Sequence, residues 1–106
     1  MRTVIETPLF SRLQADYWTE AEREAFVAWI AAQPRAGKVI PGSGGLRKVR
    51  WSAPGRGKRG GVRIIYIDRP ARGELWLLLI YSKQVADDLP VRTLRRLREM
   101  LEEADE

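Results

Sequence analysis

The run Leu75-Trp76-Leu77-Leu78-Leu79-Ile80-Tyr81 is apolar at every position. A β-strand turns successive side chains to opposite faces. A strand with no polar alternate must therefore be covered on both sides. The run is also far shorter than the roughly 20 residues a helix needs to span a bilayer. It predicts an interior strand with layers packed above and below it, and the rest of the chain has to supply those layers.

The remaining elements follow from periodicity and punctuation. Residues 2–6 alternate polar and β-branched side chains and predict a first strand. Pro8 suits an early helical turn, and Leu9, Phe10 and Leu13 share a face, so a short helix is expected to about residue 17. Thr19-Glu20-Ala21-Glu22 reads as a capping box ahead of Phe26, Val27, Trp29 and Ile30, and Pro34 stops that second helix. Further strands are expected at 46–51, 62–68 and 74–81, the last two joined by a turn at 70–73. Pro90 starts a final helix with Val91, Leu94, Leu97 and Leu101 on one stripe. The order βααβββα describes one α+β domain over residues 1–106, with a mostly antiparallel four-stranded sheet packed with helices. With no apolar stretch at the N-terminus, the chain reads as cytoplasmic, with no membrane partner.

The formal net charge is +5, and its distribution says more than its size. Residues 46–63 hold seven cations (Arg47, Lys48, Arg50, Arg56, Lys58, Arg59 and Arg63) and no anion, while the flanking segments are balanced or slightly acidic. Charge focused in this way is the footprint of a polyanionic partner, nucleic acid before membrane. The chain has no Cys and no His. Thiol nucleophiles, thiolate–imidazole zinc sites and a histidine general base are thereby excluded, and no metal or other cofactor is expected.

If the strands from 46 to 81 form a meander, Arg50 lies opposite Val62 and Arg63 opposite Leu79. Lys48, Arg50, Arg63, Tyr81 and Lys83 then converge at one end of the sheet beneath a loop carrying Lys58 and Arg59. A one-residue slip flips faces but preserves that convergence. Each residue also has a plainer reading. Lys58 and Arg59 are ordinary solvated loop charges, and Lys48 and Arg50 are the solvent face of an edge strand. Arg63 is a structural partner of Asp68 or Glu74, and Tyr66 and Tyr81 are strand packing. Trp51 is the one tryptophan placed to serve as a stacking platform.

Such a cluster suits RNA cleavage by the neighbouring 2′-hydroxyl, which needs alignment, a proton acceptor, charge for the phosphorane and help for the leaving oxygen. Guanidinium and ammonium groups supply the charge. Cations crowded together disfavour the protonated form of a lysine, which is how a lysine becomes a base. The same cations also suit a non-catalytic RNA-binding protein, or a subunit whose basic face receives an acidic protein segment.

The runs Gly44-Gly45-Leu46-Arg47-Lys48-Val49-Arg50, then Gly57-Lys58-Arg59-Gly60-Gly61-Val62-Arg63-Ile64-Ile65-Tyr66, then Leu79-Ile80-Tyr81-Ser82-Lys83 resemble the RelE/ParE superfamily, specifically HigB-like toxins of type II toxin–antitoxin systems. The resemblance implies a RelE-like fold and a ribosome-dependent endoribonuclease (an mRNA interferase) that cuts translated mRNA and inhibits translation under stress. It also implies a cognate DNA-binding antitoxin of the HigA kind, with the ribosome and mRNA as the other partners. Lys48, Arg63, Tyr81 and Lys83 become the catalytic candidates, and Arg47, Arg50, Lys58, Arg59 and Tyr66 the RNA- and phosphate-binding ones. Better-studied relatives carry an Arg just after the position of Lys83 and a Tyr a few residues on. Here Gln84 follows and residues 85–90 hold no Tyr.

Overall fold

The computed structural model describes residues 1–52, 61–82 and 89–104. Along the chain run β1 (Thr3–Glu6), α1 (Pro8–Gln14), α2 (Glu20–Ala32), β2 (Lys38–Val39), β3 (Arg47–Trp51), β4 (Val62–Arg69), a 3-10 turn (Pro70–Arg72), β5 (Glu74–Ser82) and α3 (Val91–Ala104). The strands form one five-stranded sheet in the order β1-β5-β4-β3-β2. β1 pairs with β5 in parallel, and the other three pairings are antiparallel.

The fold is α+β, but the sheet has five strands where four were expected, and it is mixed. The additional strand, β2, is two residues long, too short to show a periodicity. β5 is an interior strand apolar on both faces, as its composition demands. One face packs Val49, Val62, Ile64, Tyr66, Leu75, Leu77 and Ile80 against Phe10, Trp18, Phe26 and Ile30 of the N-terminal helical region. The other packs Ile65, Ile67, Leu78 and Tyr81 against Leu94, Leu97 and Leu101 of α3. Among the described residues no helix is long and apolar enough to cross a membrane.

Local chemistry explains the helix boundaries. The Thr7 hydroxyl accepts the Phe10 N–H and donates to the Leu77 carbonyl, so one side chain both starts α1 and docks it on β5. Both halves of the Thr19–Glu22 capping box are present at α2. α1 ends at Gln14, three residues earlier than expected. Residues 15–17 form a turn that delivers Trp18 to the core, where its indole N–H donates to Gln14 Oε1 at 2.7 Å. The buried Asp68 carboxylate accepts from Arg2 Nε at 2.7 Å, and Glu6 accepts from Arg23 Nε at 2.6 Å, tying β1 to β4 and to α2.

The strand register differs from expectation, and the reason is physical. Arg50 lies opposite Arg63, not Val62, and Arg63 lies opposite Tyr81, not Leu79. Pairing Val49 with Ile64, and Ile64 with Ile80, gathers three apolar side chains on the α2 face, so burial selects that register. In β5 the 3-10 turn pairs Arg69 with Glu74, and a bulge leaves Leu78 without a partner between Leu77 and Leu79. Together these shift the far end of the strand by two positions.

Tyr66, in the middle of β4, is fully buried. Its hydroxyl accepts the Gly37 N–H and donates to the Pro34 carbonyl, both at 2.8 Å. Burial pushes its pKa above the usual 10, outweighing the Gly37 amide and Arg47, which pull it down. Replacing Tyr66 with Phe strands the buried Gly37 N–H and should cost about 1–3 kcal/mol in denaturant unfolding at neutral pH. The stability this neutral phenol contributes is intact below pH 10 and is lost as pH rises through the raised value, because the unfolded chain then releases a proton the folded one retains. Tyr66→Phe should therefore flatten the alkaline limb of the stability–pH curve; an unchanged slope would contradict the clasp.

Candidate functional site

Directly opposed residues on paired strands share a face of the sheet. One rung holds Arg50 of β3, Arg63 of β4 and Tyr81 of β5, and the rung two residues along holds Lys48, Ile65 and Leu79. Both rungs face α3. The expected convergence of Lys48, Arg50, Arg63 and Tyr81 is thus present and tighter than the expected register implied. Arg50 is exposed and Lys48 half-buried, while Arg63 and Tyr81 are 8% and 4% exposed. A cavity of about 30 Å³ beside them, room for a water molecule, is lined by Ile40, Lys48, Ile65, Tyr81, Leu89 and Leu94. Lys48 and Tyr81 therefore line one concavity together with apolar side chains that include Leu94 of α3.

Arg63 is not the partner of Asp68 or Glu74. Those carboxylates lie at the other end of β4 and β5, where Asp68 takes Arg2, and Glu74 takes Arg72 and the Trp76 indole. Arg47 and Tyr66 stand apart from the cluster. They form their own cross-strand pair on the opposite face, beside the α2–β2 connection. Arg47 Nη1 donates to the Gly37 carbonyl at 2.7 Å, next to the Tyr66 hydroxyl, so both side chains brace residues 34–37. Lys58, Arg59 and Lys83 lie outside the described residues.

Trp51 packs on Phe26 and Trp29, with ring centroids 5.5 and 5.2 Å away. It ends a ladder of aromatic rings running through Trp18 to Phe10 on the face opposite the cations. It is core packing rather than an open stacking platform.

The structure adds one residue that sequence reasoning passed over. Lys38 of β2 lies directly opposite Lys48, which brings it onto the cationic face. Nothing in the local pattern marks Lys38. Only the turn through Pro41 and Gly45, which brings β2 back beside β3, identifies it.

A larger concavity between α1 and α3 is walled by Leu9, Trp76, Leu78, Leu97 and Met100. Its one charged lining residue is Arg12, so acid–base chemistry is better served by the cation rungs. Among the described residues no group of three His, Cys, Asp or Glu side chains stands close enough to hold a metal ion. No family model matches the chain.

The rung geometry separates two arginines of similar sequence context. Arg63→Ala removes a side chain whose stem is buried in the sheet face and should destabilise the fold by more than about 1 kcal/mol. Arg50→Ala at an exposed position should stay within about 0.5 kcal/mol. Urea midpoints for the two variants check this, and equal losses would place both arginines in the same environment.

Proposed function

We propose that the protein is a metal-independent endoribonuclease of the RelE/HigB kind. In this reading it cleaves translated mRNA within the ribosome and is held in check by a cognate antitoxin. The observation that carries the reading is the pair of adjacent rungs, Lys48 beside Arg50–Arg63–Tyr81, on one face of the sheet. A phosphodiester at the open end of these rungs meets the exposed Arg50 guanidinium and the half-buried Lys48, with Arg63 and Tyr81 largely buried behind them.

Each group has a task that its position supports. Lys48, on the wall of the small cavity, accepts the proton of the attacking 2′-hydroxyl. Arg63, held in place by its buried stem, stabilises the negative charge that builds on the phosphorane oxygens. Arg50, exposed at the end of the same rung, holds the incoming backbone. Tyr81, buried opposite Arg63, backs the rung and so helps to orient the site, and Lys83, two residues further on in the sequence, assists the leaving 5′-oxygen. Lys58 and Arg59, in the intervening basic segment of the sequence, add long-range attraction. Bond formation by the 2′-oxygen and departure of the 5′-oxygen leave a cyclic phosphate, and only protons move between protein and substrate. With neither His nor Cys in the chain, the chemistry rests on these cations and phenols.

Expression in growing bacteria should arrest translation. Primer extension on recovered mRNA should then show cuts that depend on ribosomes. Arg63→Lys keeps the charge and the fold but not the planar fork. It should slow cutting by about 10²–10³, the usual cost of losing one preorganised transition-state contact, with ribosome binding within about tenfold. A folded protein that binds ribosomes without cutting would establish a non-catalytic binding role instead. Cutting should also persist in excess chelator with ribosomes held together by polyamines. Loss under those conditions, restored by a divalent ion acting on the protein itself, would overturn the metal-independent mechanism.

A further inference from the structure

One flank of α3 is fastened to the rest of the molecule. Arg95 Nε donates to the Gly42 carbonyl at 3.0 Å and Arg98 Nε to the Gly44 carbonyl at 3.2 Å, pinning that side to the turn before β3. Met100 lies on the other flank and is 45% exposed. Between it and α1 stands the larger concavity, about 290 Å³ in volume, with Trp76 and Leu78 of β5 in its lining. That is the room of about ten liquid water molecules, enough to seat about two aliphatic side chains. The groove is held open from both sides. At the start of α1 the Thr7 N–H and hydroxyl both donate to the Leu77 carbonyl at 3.1 Å. Trp76 is fixed by pairing with Ile5 on one side and Ile67 on the other, and its indole N–H is committed to Glu74. Leu9 and Arg12, three residues apart, share a face of α1, so the apolar wall ends in a guanidinium. Arg12 is exposed, and among the described residues it makes no ion pair or side-chain hydrogen bond.

We propose that this groove is a docking site for an acidic amphipathic helix of another protein. Leucine-type side chains of that helix seat between Trp76 and Met100, and a carboxylate one helical turn away meets Arg12. A helix sets apolar anchors and a charged flank at this spacing, as α1 itself does with Leu9 and Arg12. Charge selects the partner. A second copy of the chain, at +5, brings repulsion, whereas an acidic segment is drawn in and satisfies the free guanidinium. A small polar ligand is poorly served, because the Thr7 hydroxyl and the Trp76 indole are already engaged and leave Arg12 to fix its orientation. None of the groove's lining residues belongs to the cation rungs, so the proposal is independent of the function proposed above.

The test is fluorescence anisotropy with a labelled helical peptide of about 15 residues, leucines spaced three and four apart on one face and glutamates on its flanks. One control peptide carries serine for leucine, and a second carries lysine for glutamate. The acidic leucine peptide should bind and the serine control should not. Arg12→Gln should weaken binding about threefold and Arg12→Glu about tenfold, while Arg12→Glu should bind the lysine peptide better than the parent does. Met100→Gln should cost about tenfold, as loss of an apolar anchor does, with an unchanged unfolding midpoint showing that the fold is intact. Arg50→Gln should leave peptide binding as it is. Failure of the acidic leucine peptide to bind overturns the proposal, and so does equal binding of the serine control. If Arg50→Gln abolishes binding while Arg12→Glu keeps it, the peptide sits on the cation rungs and the groove is not its site. A concentration-dependent dimer that Met100→Gln dissociates makes a second copy the occupant and likewise overturns it. Ribosome-dependent cutting by Arg12→Glu should match the parent. A parent that binds the peptide but never cuts sinks the nuclease reading and leaves the groove standing.

Discussion

The arrangement of this molecule hangs on one phenol. Tyr66 comes from the middle of β4, and its hydroxyl satisfies two backbone groups of the connection between α2 and β2, a donor at Gly37 and an acceptor at Pro34. Without it the connection would present unpaired polar groups to an apolar layer, a cost that native interiors avoid. The clasp fixes where the chain leaves the helical layer and rejoins the sheet. That exit sets the start of β2, and β2 in turn completes the cationic face. A core residue on one side of the sheet thus governs the charge pattern on the other.

A second device acts within β5. A strictly alternating strand would have carried Tyr81 to the same side as Leu75 and Leu77. The unpaired Leu78 changes the parity, so Leu77 and Ile80 both enter the N-terminal core while Leu78 and Tyr81 both face α3. The bulge is therefore what brings a phenol alongside Arg63, and it does so without breaking either hydrophobic layer. Bulges next to functional clusters commonly re-aim side chains in this way.

Much of this was legible in the residues themselves. The all-apolar 75–81 run implied an interior strand, the Thr19–Glu22 pair implied a capped helix, and the leucine stripe of α3 implied a helix laid on the sheet. Those signals are local, and local chemistry produces them. What escaped is decided at long range. The two residues of β2 are too few to carry a period, and their strand character comes wholly from pairing with β3. The register of Arg50 and Arg63 depends on which apolar rows are buried together, and the bulge at Leu78 sits in a run where every residue is apolar, so no break in pattern betrays it. Convergence of the cations was readable because it depends only on strand order and direction. The distinct fates of Arg47 and Tyr66 were not, since both depend on the Gly37 backbone, which is distant from Tyr66 in sequence.

The brevity of β2 has a bearing on how the molecule behaves in a crowded solution. An exposed sheet margin is a template on which other chains can lengthen the sheet, and such growth is the first step toward fibrous aggregates. Two residues offer very little backbone to pair with, and one of them is a lysine whose ammonium disfavours stacking of a like-charged strand beside it. The outer margin of this sheet is therefore blunt by construction, and the positive charge it carries works to keep copies of the chain apart.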